Sequence, residues 1–190
     1  SINLKLKSGV KGVFNLIATL GGGYVDKLLW DNELITTYFQ RNSQLLATYK
    51  GNNSGTDLES ELRSHTDYDY SRTSTISDIA MPATPGINKR YYYFNQSHSA
   101  TYNQVFRVGK NGELGINAAY LNDRDERSNQ SVTTTLLPDG SKNVVDESFN
   151  GILHRNIANG NITYMQNTER NYIKEQLKFD WLSTDGYSNI

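Results

Sequence analysis

The sequence predicts an all-β chain: an antiparallel meander of long strands, part of a transmembrane β-barrel. Three observations carry that expectation. Apolar and polar residues alternate with period two over long segments. Tight turns alternate with long connections. The composition is polar yet aromatic, with 36% hydrophobic residues but 13 Tyr, 6 Phe and 2 Trp in 190 residues, and a mean hydropathy of −0.63. Strands with one wet face have this composition. Disordered chains lack aromatics and carry high net charge, whereas the formal charge here is −1. Helical stripes are missing: the best stretch, residues 57–63, is short and polar.

The elements follow in order. Ile2-Asn3-Leu4-Lys5-Leu6-Lys7 is a short alternating strand stopped by Ser8-Gly9. Residues 13–24 place Phe14, Leu16, Ala18 and Leu20 on one face, with Asn15 and Thr19 on the other. In residues 28–41, Leu34, Thr36 and Tyr38 lie opposite Asp31, Glu33, Ile35 and Thr37. A tight turn at Arg41-Asn42-Ser43 leads into residues 44–50. A long connection, about residues 51–88, carries Pro82 and Pro85, and connections of such length are functional more often than ordinary ones. Residues 89–108 form a very long strand, with Tyr92, Phe94, His98, Ala100, Tyr102 and Phe106 on one face. At Gly109-Lys110-Asn111-Gly112 the Asn-Gly pair is expected to supply the positive φ of a primed hairpin turn. Residues 114–121 return. A second long connection, about 123–148, opens with charged Asp123-Arg124-Asp125-Glu126-Arg127 and folds over Pro138-Asp139-Gly140. Residues 149–166 and 172–182 close the series, making about seven strands beyond the first short one.

Length fits a membrane, since roughly 9–11 residues cross the hydrocarbon zone as a strand. Tyr38-Phe39, Tyr91-Tyr92-Tyr93-Phe94 and Phe179-Trp181 would supply the aromatic girdles. No run of about 18 apolar residues offers a spanning helix.

The opening residues add a resemblance. Ile2-Asn3-Leu4-Lys5-Leu6-Lys7-Ser8-Gly9, followed by Lys11-Gly12-Val13-Phe14, resembles the plug-to-barrel junction of TonB-dependent outer-membrane receptors. The Gly21-Gly22-Gly23-Tyr24 ending is similar to the same family. The resemblance implies that residues 1–9 end a plug domain. Residues 10–190 would then be the N-terminal strands of a barrel of about 22 strands, with extracellular loops near 51–88 and 123–148. It further implies active uptake of a nutrient ligand across the outer membrane of a Gram-negative bacterium. The implied partners are outer-membrane lipid, the chain's own plug and remaining barrel, the TonB complex through the missing plug region, and a surface lipoprotein. The bulk of the plug and the TonB box are absent from the sequence, so the chain reads as a cut piece, with a short tail strand at Ser1 and an abrupt end at Ile190. Two other readings fit the alternation: a secreted or surface β-sandwich binding glycan or protein, and a small structural outer-membrane barrel.

No residue is assigned to catalysis, and no cofactor or metal is expected. His65, His98 and His154 stand far apart, outside any ligand spacing. Asp67/Asp69 and Asp123/Asp125/Glu126 read as solvated loop charge, because the Gly and distal Glu of a calcium loop are missing. No serine sits in a nucleophile elbow. The near-neutral balance offers no basic stripe for nucleic acid, the small cluster Lys5, Lys7 and Lys11 aside. Tyr68, Tyr70, Tyr91 and Tyr92 are the candidate ligand-binding residues, with Trp30 and Tyr93 extending a stacking platform.

Overall fold

Alternation long enough to bury one face of a strand specifies a sheet, and one sheet is what forms. The structure is a computed structural model and describes residues 12–59, 80–88 and 91–189. Seven strands lie side by side in chain order: β1 (Val13–Tyr24), β2 (Leu28–Gln40), β3 (Ser43–Asn52), β4 (Phe94–Val108), β5 (Gly112–Leu136), β6 (Lys142–Asn167) and β7 (Tyr172–Asn189). Every neighbouring pair is antiparallel. The strands β1 and β7 are the two edges, so the sheet of the described residues is open. The expected tail strand at residues 1–9 and the candidate residues Tyr68 and Tyr70 lie outside the described residues.

At one end all connections are tight: residues 41–42, 109–111 and 168–171. The other end carries the 53–93 connection and the tip of the β5–β6 hairpin, but also a three-residue turn at 25–27.

Three expectations need correction. The stretch 123–148 is not an irregular loop. Strands β5 and β6 pair without a break from Gly112↔Gln166 to Leu136↔Lys142, leaving only residues 137–141 as the turn. The charged run Asp123–Arg127 continues the strand because its alternate members find partners on opposite faces, so charge did not end it. Beyond Arg127↔Gly151, neither β4 nor β7 follows far, and the two strands project as a ribbon.

Secondly, β4 begins at Phe94 rather than near residue 89. The Tyr91 amide donates to Asn88 O at 3.0 Å, closing a turn, and the Tyr93 side chain is drawn over the sheet. Thirdly, the turn at 109–111 takes its positive φ at Gly109 (φ 66), and no non-glycine residue has positive φ among the described residues. Gly112 instead opens β5, where a Cβ would stand 2.5 Å from Val108 O. Close approach, not turn conformation, explains that glycine.

The register sorts every strand residue onto one of two faces. One face carries Leu16, Leu20, Leu34, Ala47, Ala100, Tyr102, Ala118, Ile162, Phe179 and Trp181, and is called the apolar face. The stripes of β1 and β4 thus share a side. Of the aromatics expected at girdles, Tyr38, Phe94, Phe179 and Trp181 lie on this face, whereas Phe39 lies on the other and Tyr93 covers the other.

The opposite face is polar along much of its length and is covered near the long connection. Buried sheet residues Asn95, Ser97, Ser99, Ala119, Leu121, Asp123, Asp125 and Ile157 all belong to it. The hydrophobic core is small: Leu58 of the connection packs on Ala119, Leu121 and Ile157, with Leu182 alongside. Gly151 makes room for the same connection, since a Cβ there would stand 2.7 Å from Met81 Sδ and 3.0 Å from Pro82 Cδ.

Candidate functional site

Covering a polar sheet face strips its side chains of water, and each must then find a partner or lose stability. Such a group of side chains forms where the 53–93 connection crosses the covered face. Its spine is one cross-strand row: Ser97 on β4 faces Asp123 on β5, and Asp123 faces Arg155 on β6.

Asp123 is 3% exposed. Its carboxylate accepts from Tyr93 OH at 2.8 and 2.9 Å, from Ser97 Oγ at 2.5 Å, and from Arg155 Nη2 at 2.5 Å. Arg155 also reaches up: Nη1 donates to Glu59 Oε2 at 2.6 Å. One guanidinium thus ties the connection to the sheet and neutralises two buried carboxylates, the fork geometry Arg provides and Lys does not. Burial, reinforced by the adjacent Asp123 carboxylate, pushes the Tyr93 phenol above its ordinary range, so it stays protonated and donates.

A second, uncharged layer continues from Ser97. Asn95 Nδ2 donates to Ser97 Oγ at 2.7 Å and to Asn52 Oδ1 at 2.9 Å, while Asn95 Oδ1 accepts from Gly55 N at 2.9 Å. Asn52 Oδ1 also accepts from the amides of Ser54 and Thr56, both at 3.3 Å. These asparagines fold the start of the connection back onto the sheet, helped by Gly55 at φ 87. Nearby, Arg127 holds the buried Asp125 through Nε at 3.1 Å and Nη2 at 2.5 Å. Asp123 and Asp125 were expected as solvated loop charge; they are instead among the most buried polar groups, because strand alternation turns both under the connection.

The Asp123 carboxylate is fully engaged, although Arg155 Nε stays buried without a partner, and the network's chemistry is anchoring. Asp123 spends its lone pairs on three donors, which leaves no base poised beside a nucleophile. Among the described residues, no group of His, Asp and Glu could hold a metal ion.

The tyrosines are divided. Tyr91 is 77% exposed, Tyr92 is half-buried, and Tyr93 is the anchor. Tyr91 and Tyr92 thus stand at the outer margin of the anchored connection. Trp30 does not join them: by register it lies on the apolar face, whereas Tyr93 binds on the covered one. The anchoring residues Tyr93, Arg155, Glu59, Asn52 and Asn95 were not legible as a group. Their only sequence signal is a strand-centred Arg and Asp, and pairing them needs the β5–β6 register.

No family model, curated protein or solved structure matches the chain.

Proposed function

We propose that this chain forms part of the wall of an outer-membrane β-barrel, of the TonB-dependent receptor type, that takes up a nutrient ligand without covalent chemistry. One observation carries the reading: seven adjacent strands present a continuous, exposed apolar face with no second layer on it among the described residues. On that face Leu16 is 56%, Leu20 81%, Leu177 67% and Phe179 61% exposed. Water-soluble monomers rarely leave so much contiguous apolar surface bare, whereas lipid is its natural solvent. The covered face, polar and carrying the anchored connection, would then look into the lumen.

Three tyrosines support the orientation. Tyr38, Tyr102 and Tyr164 lie on the apolar face, on strands running toward the tight turns, and each hydroxyl donates to the glutamine two residues on. The pairs are Tyr38–Gln40 and Tyr164–Gln166, both at 3.4 Å, and Tyr102–Gln104. Each of these three hydroxyls is thus directed toward the tight-turn end, as at a membrane–water interface. The β-sandwich alternative needs a second sheet on the apolar face, and all seven strands lie in one sheet. A closed membrane barrel needs at least about eight strands, so the seven among the described residues would form part of its wall.

Placement is tested by single cysteines, which a chain with no Cys permits cleanly. In intact outer membranes, Leu20→Cys and Ala118→Cys should resist a water-soluble maleimide while Asn117→Cys reacts. Equal labelling at all three sinks the reading. Uptake is tested by deleting the gene and comparing growth on scarce nutrients with and without a working TonB complex; growth identical to the parent on every nutrient removes the transport assignment.

A further inference from the structure

The apolar face ends in a polar margin, and that margin is hollow. A depression of about 230 Å³ lies at the end of the sheet away from the tight turns, lined by Lys27, Trp30, Phe94, Gln96, Arg124 and Glu126 together with Asn53 and Asn95. Trp30, Phe94, Gln96, Arg124 and Glu126 lie on the apolar face by register, Asn95 lies on the covered face, and Lys27 and Asn53 belong to the connections that follow β1 and β3.

Aromatic rings form one side. Trp30 packs on His98 with centroids 5.3 Å apart, and Tyr49 OH bonds His98 Nδ1 at 2.8 Å. Gly51 allows the three rings to converge, because a Cβ there would stand 2.8 Å from Tyr49 OH, 3.0 Å from Trp30 Cζ3 and 3.1 Å from His98 Nδ1. Cations form the other side. Lys27 Nζ lies 5.2 Å above the Phe94 ring and has no ion pair among the described residues. Arg124 Nη2 reaches Glu126 Oε2 at 3.2 Å, while its Nε is a buried donor without a partner. Glu126 is thus offset by Arg124, which leaves Lys27 as the uncompensated charge. Toward the middle of the sheet the same face passes Asn32 and His98 and then reaches Leu20, Leu34 and Ala100.

We propose that this depression seats the phosphate-bearing headgroup of a membrane lipid, with its acyl chains along Leu20, Leu34 and Ala100. The inference rests on the membrane placement above and adds a specific ligand class to it. A cation and an unpartnered guanidinium donor suit phosphate oxygens. Aromatic rings with polar tips suit the headgroup level. A free anion would find the cations but would leave the adjoining apolar strip uncovered. Glu126 remains as an acceptor for a headgroup hydroxyl or ammonium.

The two tryptophans separate this proposal from the one it rests on. Trp30 lines the depression, and Trp181 sits on the apolar strip. The complete barrel, with any tryptophan outside this chain changed to phenylalanine, is folded in uncharged micelles in two backgrounds, Trp181→Phe to leave Trp30 and Trp30→Phe to leave Trp181. With phosphatidic acid, Trp30 emission should change saturably, and phosphatidylcholine should need about fivefold more lipid. Lys27→Gln, at an exposed turn position, should raise half-saturation by about fivefold, the equivalent of one basic side chain near an anionic surface. Equal response to both lipids, no effect of Lys27→Gln, or the same response to inorganic phosphate alone overturns the headgroup site. Trp181 is read in bilayers with brominated acyl chains. Quenching of Trp181 with an indifferent Trp30 removes only the headgroup site; absence of quenching removes the membrane placement and the proposal together.

Discussion

Arg155 ties the start of the 53–93 connection to the sheet, because it pairs with both Glu59 and Asp123. Arg155→Met removes the cation that pairs with the buried Asp123 and Glu59 carboxylates, and breaking such a pair costs about 3 kcal/mol or more. Urea unfolding should show the drop, and proteolysis within the connection should accelerate alongside it. An unchanged midpoint contradicts the anchoring role. Tyr93 gives a pH dependence with a definite sign. Its folded-state pKa is raised above the ordinary 10.0, so its contribution is complete below about pH 10 and fades as pH rises through the folded value. Phenolate absorbance of the folded protein should therefore be the same for wild type and Tyr93→Phe up to the pH of unfolding. Extra phenolate in the wild type near pH 10 contradicts it.

At the level of the element, the β5–β6 ribbon stands apart from the sheet that bears it. An isolated two-stranded hairpin is marginal in water, so its tip should matter. Residues 137–141 close through Leu137 N to Ser141 O at 2.9 Å, with Asp139 accepting from Ser141 N at 2.9 Å and Ser141 Oγ at 2.6 Å. Those two bonds from Ser141 hold the Asp139 carboxyl below its ordinary range. Gly140 adopts φ 85, where a β-branched residue is strained by about 1–3 kcal/mol. Gly140→Val should speed amide exchange at Thr133, Thr135 and Val145 while leaving β2–β3 protected. Uniform protection across the hairpin would show that the tip does not hold it. Sequence reading split this ribbon into a loop and an excursion because charge and Pro-Asp-Gly resemble punctuation. Only the register shows that Asp123–Arg127 is strand, with its acids and bases sorted to two faces.

For the molecule as a whole, the two faces of the sheet should respond oppositely to charge. Ala118→Arg places a cation on the apolar face, where in a bilayer it costs about 2–4 kcal/mol near the midplane. Asn117→Arg, its neighbour on the polar face, should cost little. Folding yield into lipid vesicles compares them, and equal yields for the two variants would mean that lipid does not meet this face. Both residues are exposed in the described structure, so a water-soluble protein would tolerate either change.

The strand count, the antiparallel meander and the placing of Leu16 with Leu20, and of Ala100 with Tyr102, on one face of their own strands were determined by the sequence itself, because a period of two fixes which side chains lie together within a strand. Tight turns then fix how neighbouring strands pair. What only the tertiary structure decided is which positions lose water. The described parts of the 53–93 connection lie on one face, and that placement turns Asp123, Asp125 and Tyr93 from apparent loop polarity into buried anchors. It also separates Trp30 from the tyrosine run with which it seemed to belong. Long-range pairings such as Glu59–Arg155 leave no periodic trace, since they depend on where a connection crosses a sheet and not on any spacing along the chain.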